Sequence, residues 1–301
     1  MNKVLVHIGL PKTGSTTLQE GLFQRHSQIR YLGQTNLWDS ADAKAVLKTL
    51  ITGEVQADFS SVLQSLQDET RAVVISDEAL TFGELMLRGQ KWSINSDHTE
   101  MAQRIHQMLG EVDILLVLRR QDAWLESWHK QGLKTGRYID PDFETWLLKE
   151  LDESEREKLF SLLDYDTLVS AYANQFGQSR CHLFFFEDYQ DRFEVLAREL
   201  ADRLEIDADQ AEQLLRGHFS NISGDTYKGG AAGLKRISRS WFGRMLRQYM
   251  PSMVKKLQIL TRREHRYKPV ADHVKQSVLS HFRLGNQRLM NNLGRSDPYG
   301  Y

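Results

Sequence analysis

Residues 3–17 read Lys-Val-Leu-Val-His-Ile-Gly-Leu-Pro-Lys-Thr-Gly-Ser-Thr-Thr, and this stretch decides the fold class. Its first half is an apolar run that predicts a β-strand over residues 3–9. A turn with Gly and Pro follows, and apolar side chains at helical spacing then predict a helix over residues 15–26. A strand, a turn and a helix in this order are typical of an α/β fold.

The same alternation continues along the chain. Further strands are predicted over residues 72–76, 112–118 and 180–186. Residues 114–118 are all apolar, which is typical of a strand buried on both faces of a parallel sheet. Helices are predicted over residues 57–67, 97–109, 121–133, 143–151, 167–176, 193–204 and 270–293. Residues 220–233, rich in Gly, Ser and Asn, predict a loop, and the chain beyond it is predicted to be helical.

Length and composition indicate an ordinary globular protein. The 301 residues are 41% apolar and 26% charged, which excludes a collagen-like, low-complexity or wholly disordered chain. A single cysteine, Cys181, excludes an internal disulfide framework. We expect one domain, with a core over residues 1–220 and a helical cap over 221–301. The first apolar run is too short for a secretory signal, so a cytoplasmic location is predicted.

Positive charge is concentrated near the C-terminal end. Residues 228–268 hold twelve Lys and Arg but one acid, Glu264, although the net charge of the chain is −1. This asymmetry favours an anionic ligand or surface; solvated helix faces are the alternative. Residues 234–266 also mix aromatic with basic side chains, as an interfacial helix does, so peripheral contact with the inner face of a membrane is an expectation. No nucleic-acid partner is predicted.

The first turn has the composition of an anion-binding loop. Glycines allow close approach of the backbone, and free amides at a helix start attract negative charge. Lys12 adds a full positive charge, and Ser15 and Thr16 add hydroxyl donors. The alternative is a strand-to-helix turn in which these residues only cap the helix.

The turn departs from the Walker pattern of nucleoside triphosphatases. Gly9 and Gly14 have the Walker spacing, but Ser15 stands where the Walker lysine would, and Lys12 precedes Gly14 instead. Arg119 follows the strongest strand, where such enzymes usually carry an Asp for magnesium. This combination indicates a site that binds an anion without a metal.

Two motifs together resemble a known family. Residues 11–16, Pro-Lys-Thr-Gly-Ser-Thr, are similar to the 5′-phosphosulfate loop of sulfotransferases that use 3′-phosphoadenosine-5′-phosphosulfate (PAPS). Arg119 and Ser127 have the spacing of that family's second motif, an Arg at the end of a central strand and a Ser on the next helix, which bind the 3′-phosphate. Residues 120–131 are similar to bacterial members that act on carbohydrates. The resemblance covers about residues 3–205.

The resemblance implies a fold, a donor and a set of site residues. The implied fold is a P-loop-type three-layer α/β fold with a central parallel sheet, helices on both faces and a helical C-terminal part. The implied donor is PAPS, which leaves as adenosine 3′,5′-bisphosphate, with no metal. The residues implied to bind it are Pro11, Lys12, Thr13, Gly14, Ser15, Thr16, Thr17, Arg119 and Ser127.

The sequence also departs from the family. Thr17 stands where cytosolic members carry a Trp that stacks on adenine, so the adenine contact is unassigned. Lys228 and Lys235 only loosely resemble a late Arg-Lys-Gly segment that contacts the 3′-phosphate in those members.

Sulfuryl transfer needs positive charge at the leaving phosphate and a base for the acceptor. Lys12 is the candidate for the first role. Glu78, just past the predicted strand 72–76, is the candidate base, because ligands bind at the carboxyl ends of parallel strands. Golgi members of the family use a Glu after a comparable strand. Asp77 is the nearest competitor, and Glu78 could instead only start the next helix.

Other polar and aromatic residues near these motifs receive structural interpretations. His7 is expected to be a buried core residue of the first strand, with a direct catalytic role as the alternative, and His129 is expected to be exposed, with the lining of an acceptor cleft as the alternative. Arg120 could pair with an acid. Trp124 and Trp128, four residues apart, are expected in the core and not at a sugar platform.

Three functions are therefore open from the sequence. The first is a PAPS-dependent sulfotransferase, with the hydroxyl of a carbohydrate or glycolipid as acceptor on family resemblance alone. The second is a nucleotide kinase or ATPase with an altered Walker loop. The third is a non-catalytic nucleotide-binding scaffold that docks on membranes through residues 234–266.

Overall fold

A computed structural model gives the structure of the chain. It describes residues 3–33, 40–82, 97–134, 140–151, 153–189, 192–216, 226–229, 263–297 and 300–301. The chain forms two compact units. The first comprises Met1–Gln121, Glu155–Asn221 and Leu279–Tyr301, and the second comprises Asp122–Ser154 and Ile222–Val278. The expectation of one domain with a cap over residues 221–301 stays a prediction.

A five-stranded parallel sheet forms the centre of the first unit. Its strands are β1 (Val4–Ile8), β2 (Ile29–Gly33), β3 (Ala72–Asp77), β4 (Asp113–Leu118) and β5 (Cys181–Phe185). Their order is β2-β3-β1-β4-β5, and all neighbours are parallel. The apolar runs predicted from the sequence are thus the central strands β1, β3 and β4, which are buried almost throughout.

Helices connect the strands and continue to the end of the chain. They are α1 (Ala41–Thr52), α2 (Phe59–Gln67), α3 (Ala79–Phe82), α4 (His98–Leu109), α5 (Gln121–Lys134), α6 (Phe143–Thr145), α7 (Glu153–Leu162), α8 (Tyr165–Phe176), α9 (Phe186–Tyr189), α10 (Phe193–Leu204), α11 (Ala208–Leu215) and α12 (Asp272–Asn292). Two π-helices, Thr17–Phe23 and Trp146–Glu150, add to these.

Both faces of the sheet are covered. On one face, apolar residues of the strands pack with the π-helix Thr17–Phe23, α10 and α11 in one core cluster. On the other face, α1 contacts β2 and β3, and α8 contacts β4 and β5. With α12 near the C-terminal end, this architecture confirms the predicted three-layer α/β fold.

The second unit contains a small antiparallel sheet that the sequence analysis did not predict. Strands β6 (Thr226–Gly229) and β7 (Arg263–Arg266) pair, with Lys228 opposite Glu264. The prediction of a loop over residues 220–233 is therefore wrong for residues 226–229, and the prediction of helix is wrong for residues 263–266. Thr226 and Tyr227 both have high strand propensity, which supports a short strand once a partner strand is present.

Most of the basic segment lies outside the described residues. This includes Lys235 and residues 234–262, so peripheral membrane contact stays a prediction. Among the helices that the structure describes, none is both long and apolar enough to cross a bilayer.

Candidate functional site

Lys12 of the first predicted motif and Arg119 of the second both lie at the carboxyl edge of the sheet in the first unit. Lys12 follows β1 and Arg119 follows β4, and these two strands are neighbours. The chain leaves β1 toward β2 at one edge of the sheet and leaves β4 toward β5 at the other. Open α/β sheets bind ligands at such a switch point, because the diverging connections leave a crevice.

Internal hydrogen bonds fix the shape of the loop. The Thr13 hydroxyl donates to the Leu10 carbonyl at 2.6 Å, and the Ser15 hydroxyl donates to the same oxygen at 3.0 Å. Each hydroxyl has one proton, which here is directed to Leu10, and the role of Ser15 as a donor to a bound anion stays a prediction. Lys12 and Gly14 both have positive φ, 69° and 85°, which reverses the chain direction sharply around Thr13.

Helical hydrogen bonding begins directly after the loop. The Leu18 amide donates to the Gly14 carbonyl at 3.2 Å, and the chain then widens into the π-helix Thr17–Phe23. The sequence analysis predicted an ordinary helix here, because π-helices share the apolar pattern of α-helices. Helices of this kind are rare and are often found at functional sites.

Gly14 packs against two aromatic rings. A Cβ atom at this position would lie 3.2 Å from Phe193 Cζ and 3.4 Å from Phe186 Cε2. The φ of Gly14 is 85°, in the left-handed region that L-residues rarely adopt. A side chain at this position is therefore disfavoured by the backbone conformation and by the closeness of the two rings.

We expect Gly14→Ala to destabilise the protein by about 1–3 kcal/mol, because of left-handed strain and crowding. Gly9→Ala is the matched control in the same loop, since a Cβ there would meet its neighbours at 3.6–3.7 Å, an ordinary contact distance. Urea unfolding of both variants measures the difference. Equal losses would show that the two aromatic rings and the backbone angle do not restrict position 14.

The Arg119 side chain faces the loop. Its Nη1 donates to the Lys12 carbonyl at 2.9 Å, and its guanidinium carbon lies 4.7 Å from the centre of the Phe186 ring. The Tyr165 hydroxyl donates to the Arg119 carbonyl at 2.6 Å and so fixes the backbone at the end of β4. The structure therefore brings Arg119 to the same crevice as Lys12.

Two neighbouring carboxyl groups at the end of β3 have different surroundings. Asp77 is 1% exposed, and its Oδ1 accepts the Ala79 amide at 2.7 Å. Asp77 is thus the residue that caps α3, which argues against a merely capping role for Glu78. Glu78 is partly exposed and lies beside Gly9, close enough to Lys12 for their charges to interact.

Burial raises the pKa of both carboxyl groups. The pKa of Asp77 is raised to about 6 by desolvation, against the opposing effect of the Ala79 amide. The pKa of Glu78 is raised to about 7, mainly by desolvation; the Lys12 charge lowers it and the Asp77 charge raises it. A carboxyl group with a pKa near neutrality can accept and return a proton at physiological pH.

His7 is a core residue, in agreement with its structural interpretation. It is fully buried in β1, and its Nδ1 lies 2.8 Å from the Ser76 hydroxyl on the paired strand β3. Gln19 Nε2 donates to the same hydroxyl at 2.9 Å. Burial lowers the pKa of His7 to about 4, so the ring is neutral near pH 7.

The second unit contains the remaining predicted residues of helix α5. Trp124 is fully buried, as expected for a core residue, and it stacks on the half-buried Trp128 with ring centres 5.2 Å apart. His129 is buried, and its Nε2 lies 2.7 Å from the Asp140 carbonyl, so the prediction that it is exposed is wrong. The aromatic rings around it exclude water, and burial lowers its pKa.

Ser127 is half-buried on the same helix. It belongs to the second unit and Arg119 to the first, so their joint contact with one ligand group stays a prediction.

The sequence analysis missed three residues that follow β5. Phe186 and Phe193 pack against Gly14, and Glu187 Oε1 accepts the Arg120 amide at 2.9 Å. The Tyr301 hydroxyl donates to the other carboxylate oxygen of Glu187. Glu187 could have been found, because it directly follows the predicted strand 180–186 and so occupies the same kind of position as Glu78 does after its strand.

Comparisons with known proteins bear on the fold. No family model matches the sequence, and no curated protein matches it. A solved sulfotransferase from Alicyclobacillus acidocaldarius aligns with 100% of this chain and 99% of its own, with a TM-score of 0.59 and 13% identity. The chain has a sulfotransferase fold.

Two further sulfotransferases align less closely with this sulfotransferase fold. The sulfotransferase domain of the curacin biosynthetic pathway has a TM-score of 0.45 and 14% identity, over 99% of each chain. Mouse sulfotransferase SULT7A1, solved in complex with PAP, has a TM-score of 0.40 and 13% identity, over 74% of this chain and 67% of its own. Within the described residues of this chain, no group of three or more His, Cys, Asp or Glu could hold a metal ion.

Proposed function

We propose that this protein transfers a sulfuryl group from PAPS to a hydroxyl group of a carbohydrate or glycolipid acceptor. The observation that carries the proposal is the contact between Arg119 and the Lys12 carbonyl at the switch point of the sheet, with Glu78 beside Lys12. Two cations, Lys12 and Arg119, and the Glu78 carboxyl group with its pKa of about 7 thus lie where open α/β sheets bind ligands. The sulfotransferase fold supports the same reaction class.

The residues of the loop and of β4 suit a donor with two anionic ends. Residues 11–17 would hold the 5′-phosphosulfate, with Lys12 as the charged donor. Arg119 and Ser127 would hold the 3′-phosphate. A guanidinium has five N–H donors, so the bond to the Lys12 carbonyl uses only part of the capacity of Arg119.

The proposed reaction assigns a separate task to each charged residue. The carboxylate of Glu78 accepts the proton of the acceptor hydroxyl as its oxygen forms a bond to sulfur. The bond between sulfur and the phosphate oxygen breaks, and the leaving group is adenosine 3′,5′-bisphosphate. Negative charge grows on that phosphate, and Lys12 stabilises it.

The acceptor class rests on fewer residues than the reaction class. It is supported by the similarity of residues 120–131 to bacterial carbohydrate sulfotransferases. Transfer of labelled sulfate from PAPS to a panel of oligosaccharides, glycolipids and phenols tests it. Labelling of phenols alone would contradict the carbohydrate or glycolipid acceptor, but it would still support the proposed sulfuryl-transfer reaction.

Ligand-induced thermal stabilisation tests the donor directly. Adenosine 3′,5′-bisphosphate at about 100 times its dissociation constant should add about 2.7 kcal/mol to the free energy of unfolding. ATP or ADP with magnesium should add much less. A response to ATP with magnesium alone would instead support a kinase or ATPase.

We expect Arg119→Ala to weaken the binding of adenosine 3′,5′-bisphosphate about tenfold or more, because a charge-assisted hydrogen bond is lost. Binding of 5′-AMP, which lacks the 3′-phosphate, should change much less in a calorimetric titration. Arg119→Lys, which keeps the charge, should show an intermediate loss. Equal losses for both ligands would mean that Arg119 acts only through the loop carbonyl that it holds.

A further inference from the structure

A cavity lies at the edge of the sheet opposite the candidate site, at the amino ends of the strands in the first unit. Its volume is about 360 Å³. It is formed where β1, β4 and β5 begin and where α10 ends. The residues that line it are Lys3, Asp113, Ser179, Arg180, His182 and Arg203. None of them belongs to the site at the carboxyl edge.

The wall of this cavity carries more positive than negative charge. Lys3, Arg180 and Arg203 supply three cations, and Asp113 supplies the one carboxylate among the lining residues. Lys3 Nζ donates to the Arg203 carbonyl at 2.8 Å. Arg180 Nη1 lies 3.7 Å from Asp113 Oδ1, beyond hydrogen-bond distance.

Two further acids neutralise these cations only in part. Glu205 pairs with Lys3 at 2.8 Å, and Glu111 lies 3.3 Å from Arg180 Nε. The side chains of Glu205 and Glu111 are 73% and 56% exposed, so water and salt screen their charges strongly. Neither acid belongs to the cavity lining, which itself holds three cations and one carboxylate.

His182 supplies a buried polar group in the wall of the cavity. It is 9% exposed, and among the described residues its Nε2 has no hydrogen-bond partner. The distance from that atom to Asp113 Oδ1 is 3.8 Å, too long for a hydrogen bond. A buried polar atom without a partner is costly, and a ligand in the cavity would remove that cost.

Burial opposes the protonation of His182, and the neighbouring charges act in both directions. Burial lowers its pKa, and Arg203 and Lys3 lower it further, while Asp113 raises it. An anion between the imidazole and these cations would reverse that balance and favour the imidazolium. Anion binding should therefore be linked to proton uptake at His182.

We propose that this cavity binds an oxyanion of the phosphate or sulfate type, with His182 and Arg203 as its principal donors. The volume is within the range of small-molecule pockets, so an organic phosphate as well as free phosphate would fit. The proposal does not depend on the function assigned to the carboxyl edge.

Proton NMR of the imidazole C2 proton of His182 tests the proposal. The signal is assigned among the ten histidines by its absence in His182→Gln. Inorganic phosphate, added at constant ionic strength, should shift the signal in a saturable manner and raise the apparent pKa of His182. β-Glycerophosphate in a parallel titration distinguishes a phosphomonoester site from a site for the free ion. The signal reports this cavity even if the loop at residues 11–17 also binds phosphate.

Two charge reversals provide the comparison. Arg203 is exposed, so the Arg203→Glu variant should fold. It should weaken phosphate binding, as measured by the shift of the His182 signal, about tenfold or more. Lys158→Glu, on the exposed side of α7, changes the net charge by the same amount as Arg203→Glu. It should change phosphate binding at His182 less than about twofold. A shift that chloride produces equally, that does not saturate, or that persists unchanged in Arg203→Glu would overturn the proposal.

Discussion

Replacing Lys12 with glutamine should lower turnover about 10²–10³-fold while the protein remains folded. Glutamine is uncharged, so the growing negative charge on the leaving phosphate loses its nearest cation. The backbone should keep its shape, because the two hydroxyl bonds to the Leu10 carbonyl and the Arg119 bond to the Lys12 carbonyl do not involve the Lys12 side chain. Initial rates with PAPS and a responsive acceptor measure the effect.

Lys12→Arg is the control for this substitution. It keeps a positive charge and the same positive φ at position 12, so any backbone strain is shared by the two variants. We expect it to retain more activity than the glutamine variant, and both to melt within a few degrees of the parent. If both variants lost activity equally, the shape of the Lys12 side chain and not its charge would be the requirement.

Replacing Glu78 with glutamine should lower turnover about 10²–10⁴-fold, with little change in donor binding. In the parent, the base is the deprotonated form, and the pKa of Glu78 is raised to about 7. Turnover should therefore rise between pH 5 and pH 8 with a midpoint near pH 7. The glutamine variant should lose this rise. A parent profile that is flat over this range would exclude Glu78 as the base.

The same substitution should have the opposite effect on stability. Because the folded protein holds the pKa of Glu78 above its ordinary value, ionisation disfavours the folded state as the pH rises from about 4.5 through 7. Glu78→Gln removes that charge, so it should raise the melting temperature relative to the parent at pH 8 and much less at pH 4. Lower stability at pH 8 would show that the carboxylate is a structural requirement.

Asp77→Asn separates the two neighbouring carboxyl groups. Asparagine can still accept the Ala79 amide through its side-chain oxygen, so α3 keeps its cap. Asp77 is almost fully buried, and we expect its variant to retain most of the activity. The reverse pattern, with Asp77→Asn inactive and Glu78→Gln active, would transfer the role of base to Asp77.

Much of the fold could be predicted because the central strands are buried on both faces. β1, β3, β4 and β5 all appear as apolar runs in the sequence. β2 could not be recognised, since Arg30 and Tyr31 interrupt its apolar residues at the edge of the sheet, where Arg30 pairs with Asp42. The π-helix Thr17–Phe23 could not be predicted either, because its wider turn depends on packing against the sheet and not on the helix propensity of its residues.

The candidate site was predictable in its residue types but not in its contacts. Lys12 was indicated by the composition of the loop that follows β1, and Arg119 and Glu78 by their positions directly after β4 and β3. Their mutual arrangement depends on the strand order, which a single sequence does not reveal. The Arg119 contact joins residues 107 positions apart and uses a backbone carbonyl, an acceptor that every residue carries. For the same reason the engagement of the Thr13 and Ser15 hydroxyls by Leu10 could not be foreseen.

The closed hydrogen bonding of the first loop has a thermodynamic consequence. Thr13, Ser15 and Arg119 hold the loop in one conformation through carbonyls of the loop itself. Fixing the backbone of one residue costs about 1–2 kcal/mol of conformational entropy, and here that cost is met when the chain folds. Under the proposed function, a phosphate group would therefore meet a loop that is already ordered, and ordering that loop would not offset its binding free energy.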